Sequence, residues 1–364
     1  MINEFRNKKV LITGHTGFKG SWLTKWLILM GANVSGFSIN IPTQPSLFGT
    51  FKNKDYIKHF IGDIKKTKLI KEHIFKFKPD YIFHLAGQSI VSKSFEDAVE
   101  TWNTNTMGTV NLLNALKSYS KKCNVVMITS DKCYDNVEWL WGYKESDRLG
   151  GSDPYSASKA AAELAINSFY KSFFNKKNSN IRIVSARAGN VIGGGDWSEN
   201  RIIPDCVKSW SKKQSAKIRN PKSYRPWQFV LEPISGYLYL ATRLNKDIGL
   251  NGESFNFGPK NNDKIEVKDL VGSMSKKWEG SKWKITKNSQ RFKESIALKL
   301  NCEKASMLIN WEPSMDIEGT IKMTIEWYKN YYLHRNSINK FSVEQIDKYI
   351  SIAKERRIKW AVNY

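Results

Sequence analysis

Tyr155 and Lys159, in the run Tyr-Ser-Ala-Ser-Lys, stand four positions apart. On a helix that spacing puts a phenol and an ammonium on one face, a turn apart. A tyrosine titrates near pH 10 and is a weak base alone, but a cation nearby favours its phenolate. Such a pair can take a hydroxyl proton while a nicotinamide accepts the hydride. Earlier in the chain, Ser130-Asp131-Lys132 sets a hydroxyl, a carboxylic acid and an amine in succession. They offer a hydrogen-bond donor, a general acid and a base; the alternative for Asp131-Lys132 is a surface ion pair of little worth.

These groups need elements that aim them. Val10-Leu-Ile-Thr-Gly14-His15-Thr16-Gly17-Phe18-Lys-Gly20 reads as a strand, a glycine turn and the start of a helix. Glycine is needed where the turn tightens, where backbone amides approach a pyrophosphate, and where helix packs on strand. The helix start then offers free N–H groups and a partial positive charge to phosphates. The spacing is G-x-x-G-x-x-G, and a generic tight turn is the competing reading. The next strand ends at Asn40, where an acid would be expected to read the ribose hydroxyls of NAD. An amide also bonds a hydroxyl, and no arginine follows at once to receive a 2′-phosphate, so NAD is expected over NADP. Asp63, in Gly62-Asp63-Ile64, can meet the adenine amino group, cap a helix over 65–77, or both.

Short β-branched runs at 10–13, 34–37, 81–84, 125–129 and 183–186 predict buried strands. Helical patterns at 19–30, 67–77, 105–118 and 155–174 lie between them. That alternation predicts an α/β fold: a Rossmann-type, doubly wound parallel sheet. Ser130 follows the strand at 125–129 at its carboxyl end, the side where ligands enter such sheets. After Ala188 the rhythm breaks into Gly193-Gly194-Gly195-Asp196-Trp197 and similar loops, with helical patterns again at 267–278 and 317–331. The expected division is a dinucleotide-binding domain with the catalytic residues over 1–188, and a smaller mixed lobe over 189–364 that binds substrate. Some of that second part returns to the first domain.

The chain has 364 residues, with 58 Lys and Arg against 34 Asp and Glu, a formal charge of +24. Its 41% hydrophobic content excludes a disordered polymer. The charge raises the question of nucleic acid, but lysines dispersed along the whole chain describe a solvated surface better than a phosphate-tracking stripe. No nucleic-acid partner is expected. Cys123, Cys133, Cys206 and Cys302 form no CxxC pair, so neither a metal site nor a disulfide framework is indicated. With no signal-peptide core and no apolar run of membrane-crossing length, a soluble cytoplasmic protein is expected.

Together these segments resemble the extended short-chain dehydrogenase/reductase family, and within it the CDP-glucose 4,6-dehydratases. The resemblance rests on Gly14-His-Thr-Gly-Phe-Lys-Gly-Ser-Trp22, Pro42-Thr-Gln-Pro-Ser-Leu-Phe48, His84-Leu-Ala-Gly-Gln88, Thr129-Ser-Asp-Lys-Cys-Tyr-Asp-Asn136, Arg187-Ala-Gly-Asn190 and Arg225-Pro-Trp-Gln228. It spans roughly residues 8–330. Its most specific piece is Ser130-Asp131-Lys132: sugar epimerases of this fold lack the acid–base pair, and dTDP-glucose dehydratases carry glutamate at the third position.

The resemblance implies a hydro-lyase that converts CDP-glucose to CDP-4-dehydro-6-deoxyglucose in deoxysugar and O-antigen synthesis. Tyr155 with Lys159 would take the 4-hydroxyl proton as hydride passes to NAD, and Ser130 would bond the same oxygen. Lys132 would be the base at carbon 5, Asp131 the acid for the departing 6-hydroxyl, and hydride would return to carbon 6. Cofactor contacts are implied at Gly14, His15, Thr16, Gly17, Phe18, Gly20, Asn40, Asp63, Ile64, Leu85, Ala86, Gly87 and Asn105, with Tyr155 and Lys159. Substrate contacts are implied at Gln88, Ser130, Asn190, Arg201 and Arg225. A homodimer or homotetramer is implied, with the helices at 105–118 and 155–174 as the dimerising pair. Gly87, where alanine is usual, and Asn40 depart from the pattern. Trp139, Trp141, Trp197 and Trp227 could stack on a base, though packing is the commoner role of such rings. Two rivals stand: a nucleotide-sugar 4-epimerase or a dehydratase of another nucleotide on the same scaffold, and a non-enzymatic nucleic-acid binder.

Overall fold

The computed structural model describes residues 1–51, 57–176, 179–260, 265–286, 298–362 and 364. The first six strands are β1 (Lys9–Thr13), β2 (Asn33–Ser38), β3 (Ile57–Ile61), β4 (Tyr81–His84), β5 (Cys123–Ile128) and β6 (Ile181–Ala188). After them come β7 (Val191–Ile192), β8 (Ser215–Ile218), β9 (Gln228–Phe229), β10 (Ser254–Phe257) and β11 (Lys282–Ile285). Seven strands form one sheet in the order β10-β6-β5-β4-β1-β2-β3. Every neighbouring pair in it is parallel. Strands β1, β4 and β5 are apolar on both faces because both faces are covered, as a parallel sheet requires.

One face carries the helices Thr67–Phe77, Gly108–Leu116 and Pro154–Phe169, whose Ile70, Ile74, Leu112, Leu116 and Ile166 join Leu11, Ile82 and Val125 in one core. The helices Phe18–Leu29 and Leu231–Lys246 cover the other face, with Trp22, Trp26, Ile234 and Leu238 against Ile12, Phe83 and Val126. The sheet order reverses between β1 and β4, so a crevice opens at the carboxyl ends of these strands.

The strand and helix positions read from the pattern agree with these elements to within a few residues, with three informative differences. The helix expected from 105 begins as a π turn over Asn103–Met107, and the one expected to reach 174 is α-helical to Phe169 and then a π turn. Strand β10 and the helix Leu231–Lys246 come from the C-terminal half yet belong to the main sheet and its cover. Twelve of that helix's residues are buried, as its place against the main sheet requires. The helix Ile338–Glu355 likewise seals the core through Ile346, Tyr349 and Ala353. No described helix is long and apolar enough to cross a membrane.

Candidate active site

The turn after β1 is built by steric exclusion. Gly14 has φ +77°, and a Cβ there would stand 2.7 Å from the Ala86 nitrogen. A Cβ on Gly20 would lie 2.1 Å from the Gly14 carbonyl oxygen, so helix and turn touch only because Gly20 lacks one. Gly17 meets nothing nearer than 3.4 Å; it is the N-cap of Phe18–Leu29 and provides no side-chain cap. The first N–H groups of the helix are therefore left for an anion, and the turn fits a dinucleotide pyrophosphate.

Residues of this turn divide into those that face a ligand and those that hold the turn. His15 is fully buried, sharing a 2.9 Å hydrogen bond with the Ser38 hydroxyl and a 2.7 Å bond with His59. Burial and the His59 ring bring its pKa down to about 3, so it is a neutral brace. Thr16 donates to the Asn40 carbonyl at 2.6 Å, which leaves the exposed Asn40 side chain at the end of β2. Asp63 accepts from the Lys65 N–H at 2.9 Å and so closes a turn. The following helix starts at Thr67 with Lys66 as its N-cap, so Asp63 does not cap it. Ile64 is buried against Gly108.

The loop after β4 carries Leu85, Ala86, Gly87 and Gln88. Asn105 accepts from the Gln88 N–H at 2.9 Å and donates to the Gln88 carbonyl and the Ser158 hydroxyl at 3.1 and 3.0 Å. It therefore ties this loop to the helix that bears Tyr155 and Lys159. A Cβ on Gly87 would come within 2.9 Å of the Asn105 Oδ1 and 3.1 Å of the Lys159 Nζ. Glycine there leaves room for a buried amide and ammonium. The Gln88 side chain turns back on its own loop, bonding Ile90 and Thr101. It is Ser89 and Ile90 that reach the cleft.

That cleft, of about 340 Å³, gathers most of the residues expected to do chemistry. Ser130, Asp131 and Lys132 project from the carboxyl end of β5, with Tyr155 beside them and Asn190, Arg201 and Arg225 around the rim. The Ser130 hydroxyl donates to the Asp131 Oδ1 at 2.9 Å and lies within hydrogen-bond reach of the Tyr155 phenol. Burial raises the Asp131 carboxyl above its ordinary value, opposed by Lys132, the Ser130 bond and Lys19. Burial pushes the Tyr155 phenol up to about 12, opposed by the Ser130 bond and the Arg201 charge. Lys159 is buried and comes down to about 8, its ammonium against Gly87 and Asn105.

Behind these groups lies a buried ion pair. The Arg187 guanidinium meets the Glu163 Oε2 at 2.8 Å, with both side chains almost wholly buried. Glu163 also accepts from Thr129 and, at 2.9 Å, from Ser185. Arg187 donates to Tyr134 and to the Glu145 carbonyl at 2.9 and 3.0 Å.

On the rim, Arg201 is held by the buried Asp196 carboxylate at 2.8 Å. Burial alone would raise that carboxyl, but Arg201 and the Ser198 N–H hold it below its ordinary value. Arg225 lines the cleft and donates to the Tyr224 carbonyl at 2.9 Å. Of the four tryptophans singled out, Trp227 alone lines the cleft among the described residues. Trp197 is buried against Trp327 and Tyr331, while Trp139 and Trp141 pair on the surface. Lys19, Asp196 and Arg219 were not read from the sequence as site residues, yet all three line the cleft. A lysine inside a helical pattern and an arginine in a basic chain carry no local signal.

Residues 11–324 match the GDP-mannose 4,6-dehydratase family. The chain belongs to that family, within the extended short-chain dehydrogenases/reductases. It is 45% identical to the CDP-glucose 4,6-dehydratase of Salmonella typhimurium over 331 residues, 90% of this chain and 92% of that one. It is 24% identical to the dTDP-glucose 4,6-dehydratase of Haemophilus influenzae, over 88% and 97% of the two chains. An epimerase structure from Methanothermobacter thermautotrophicus superposes with a TM-score of 0.80 at 24% identity, covering 92% of this chain and 96% of the other. The dTDP-glucose 4,6-dehydratase of Bacillus anthracis, solved in complex with NAD, gives 0.73 at 21% identity over 90% and 99%.

Proposed function

We propose that this protein is an NAD-dependent 4,6-dehydratase that takes CDP-glucose to CDP-4-dehydro-6-deoxyglucose and water. The observation that carries the reading is the buried Asp131 carboxyl beside the Lys132 amine, facing the same cleft as Tyr155. A 4-epimerase needs a tyrosine–lysine pair and has no use for that second acid and amine. The 45% relative supports CDP-glucose as the substrate.

When bound, NAD supplies a hydride acceptor for carbon 4 and later the hydride for carbon 6. Ser130 orients the 4-hydroxyl, and Tyr155 takes its proton. A phenol held at about 12 is protonated at neutral pH and cannot accept a proton, so Lys159 and Arg201 have to favour its phenolate before the sugar proton moves. Once carbon 4 is a ketone, the carbon 5 proton is acidic; Lys132 removes it for the elimination and returns it to carbon 5 when carbon 6 is reduced. Asp131, whose carboxyl is raised by burial, gives a proton to the departing 6-hydroxyl. Arg201, braced by Asp196, and Arg225 hold the diphosphate. Asn190 completes the sugar side, and Gln88 acts through the loop it fastens.

The exposed Val99, Trp102, Met107 and Leu164 on and beside the helices of one sheet face support a homodimer through that face. Light scattering of the purified protein reads this directly. The four free cysteines accord with a reducing cytoplasm.

Incubation with CDP-glucose and catalytic NAD tests the reading. The expected product is a 4-keto sugar that absorbs in alkali, with no net NADH. An epimer instead, or faster turnover of dTDP-, GDP- or UDP-glucose in a parallel panel, sinks the assignment.

A further inference from the structure

Lys19 stands where the dinucleotide turn meets the sugar cleft. It is the second residue of the helix Phe18–Leu29, whose N-cap, Gly17, offers no side-chain cap. Of that turn and its helix, only Phe18 and Lys19 reach the cleft among the described residues. The ammonium is surrounded by charge but not satisfied. Lys159 and Arg201 repel it and Asp131 attracts it, while it makes no hydrogen bond or ion pair with any described residue. Its side chain is half-buried in the wall of the cleft, and the two further cations nearby make an anionic acceptor there more favourable. Burial and those two cations together bring its pKa down to about 8. Lysines of this chain that serve structure do find partners: Lys65 bonds Glu100 at 2.6 and 2.7 Å, and Lys304 bonds Glu253 at 2.6 Å.

We propose that Lys19 is a phosphoryl clamp, its ammonium taking a phosphate oxygen at the junction between the dinucleotide turn and the nucleotide-sugar cleft. The inference rests on the functional reading above, which brings two diphosphates to this cleft. Asp131 is a poor permanent partner, because an acid that must give its proton cannot also be held as a carboxylate by an ammonium. The two remaining acceptors are the pyrophosphate over the helix N-terminus and the diphosphate gripped by Arg201. Both have the same chemistry, and a point-like ammonium on a flexible stem suits either one.

Wild-type protein settles which. Its amines are acylated at pH 8 with an N-hydroxysuccinimide ester, alone, with NAD, or with CDP, and modification at Lys19 is read by peptide mass spectrometry. Calorimetric titration of each ligand into the same preparation shows whether it binds. Protection of Lys19 by NAD assigns the clamp to the dinucleotide, and protection by CDP assigns it to the nucleotide sugar. Equal modification in all three samples, with both ligands shown to bind, overturns the clamp and leaves the functional reading standing. Wild type that binds neither ligand removes the functional reading and the clamp with it. In a second arm, Lys19→Met is expected to weaken the protecting ligand by about 10- to 100-fold, as for a charge-assisted hydrogen bond, with Lys19→Arg recovering most of it. Unchanged dissociation constants in folded Lys19→Met also overturn the proposal.

Discussion

Lys159 and Glu163 lie one turn apart on the same helix, both almost inaccessible to water, and they are treated in opposite ways. Glu163 has Arg187, Thr129 and Ser185 as partners, so its carboxylate stays ionised, below the ordinary carboxylate value, despite burial. Lys159 is brought down to about 8 because burial outweighs the opposing interactions with Cys133 and Glu163. Asp131 and Tyr155 are likewise dominated by burial, which raises both against the opposition of Lys132, Ser130 and Lys19 in the first case and of Ser130 and Arg201 in the second. The difference separates a scaffold from a site. The paired polar network of Glu163, Arg187, Thr129 and Ser185 fixes where β5, β6 and the helix stand relative to one another. The unsaturated groups facing the cleft keep their reactivity for whatever enters it.

If that division is right, removing a cation should cost activity on one side and stability on the other. Lys132→Ala is expected to lower formation of the 4-keto product by ~10² to 10⁴-fold, the range of a general base. Its urea midpoint should stay close to wild type, since the amine is in no saturated network. Unchanged turnover would take Lys132 out of the mechanism. Arg187→Met should do the reverse, leaving the Glu163 carboxylate buried without its cation, at about 3–5 kcal/mol of stability. Urea unfolding of the single variant and of Arg187→Met with Glu163→Leu measures this. The double variant should regain much of the loss, because two apolar side chains leave no buried charge.

The same division explains how much of the molecule could be read from its sequence. Gly14 and Gly20 were legible because steric exclusion leaves no room for a Cβ at either, 2.7 Å from the Ala86 nitrogen and 2.1 Å from the Gly14 carbonyl oxygen, and Gly17 was legible through its place between them. Strands β1, β4 and β5 were legible because burial on both faces demands continuous apolar runs. Ser130, Asp131, Lys132 and Tyr155 were legible because a strand's end and a helical spacing bring them together in short stretches of chain. Glu163 and Arg187 were not, since they come from different elements and nothing local marks either as the other's partner. Lys19 was hidden for the same reason, as a lysine on a helix reads as solvated surface until the fold turns it inward. Gln88 was assigned to the sugar on resemblance, but its amide is spent on its own loop.

Glu232 is an intermediate case. It accepts from the Ser314 and Met315 N–H groups and from the Tyr349 hydroxyl at 2.8 Å, which joins the helix Leu231–Lys246 to Ile338–Glu355. No cation faces it closely, and burial raises its pKa to about 7 despite those donors. The folded protein thus holds a proton there that the unfolded chain gives up near pH 4.5. The stabilisation from this site is complete below about 4.5 and is lost as pH rises through about 7, by up to about 3 kcal/mol. Glu232→Gln should flatten that dependence, so the gap between variant and wild type changes between pH 5 and 8 in urea unfolding. Parallel pH curves for the two proteins would show that the donors alone keep Glu232 ionised.

The smallest effect is expected at Asn40, which is exposed just past β2 and accepts from Thr16 through its backbone carbonyl. An amide there bonds a ribose hydroxyl without repelling a 2′-phosphate, whereas a carboxylate does both. Asn40→Asp should leave NAD affinity within about threefold, in keeping with a change at a solvent-screened position. NADP affinity should fall further than NAD affinity, because the added charge meets the phosphate dianion directly. Calorimetric titration of both dinucleotides into both proteins gives the ratio. Equal losses for the two would mean that the Asn40 side chain does not face the ribose.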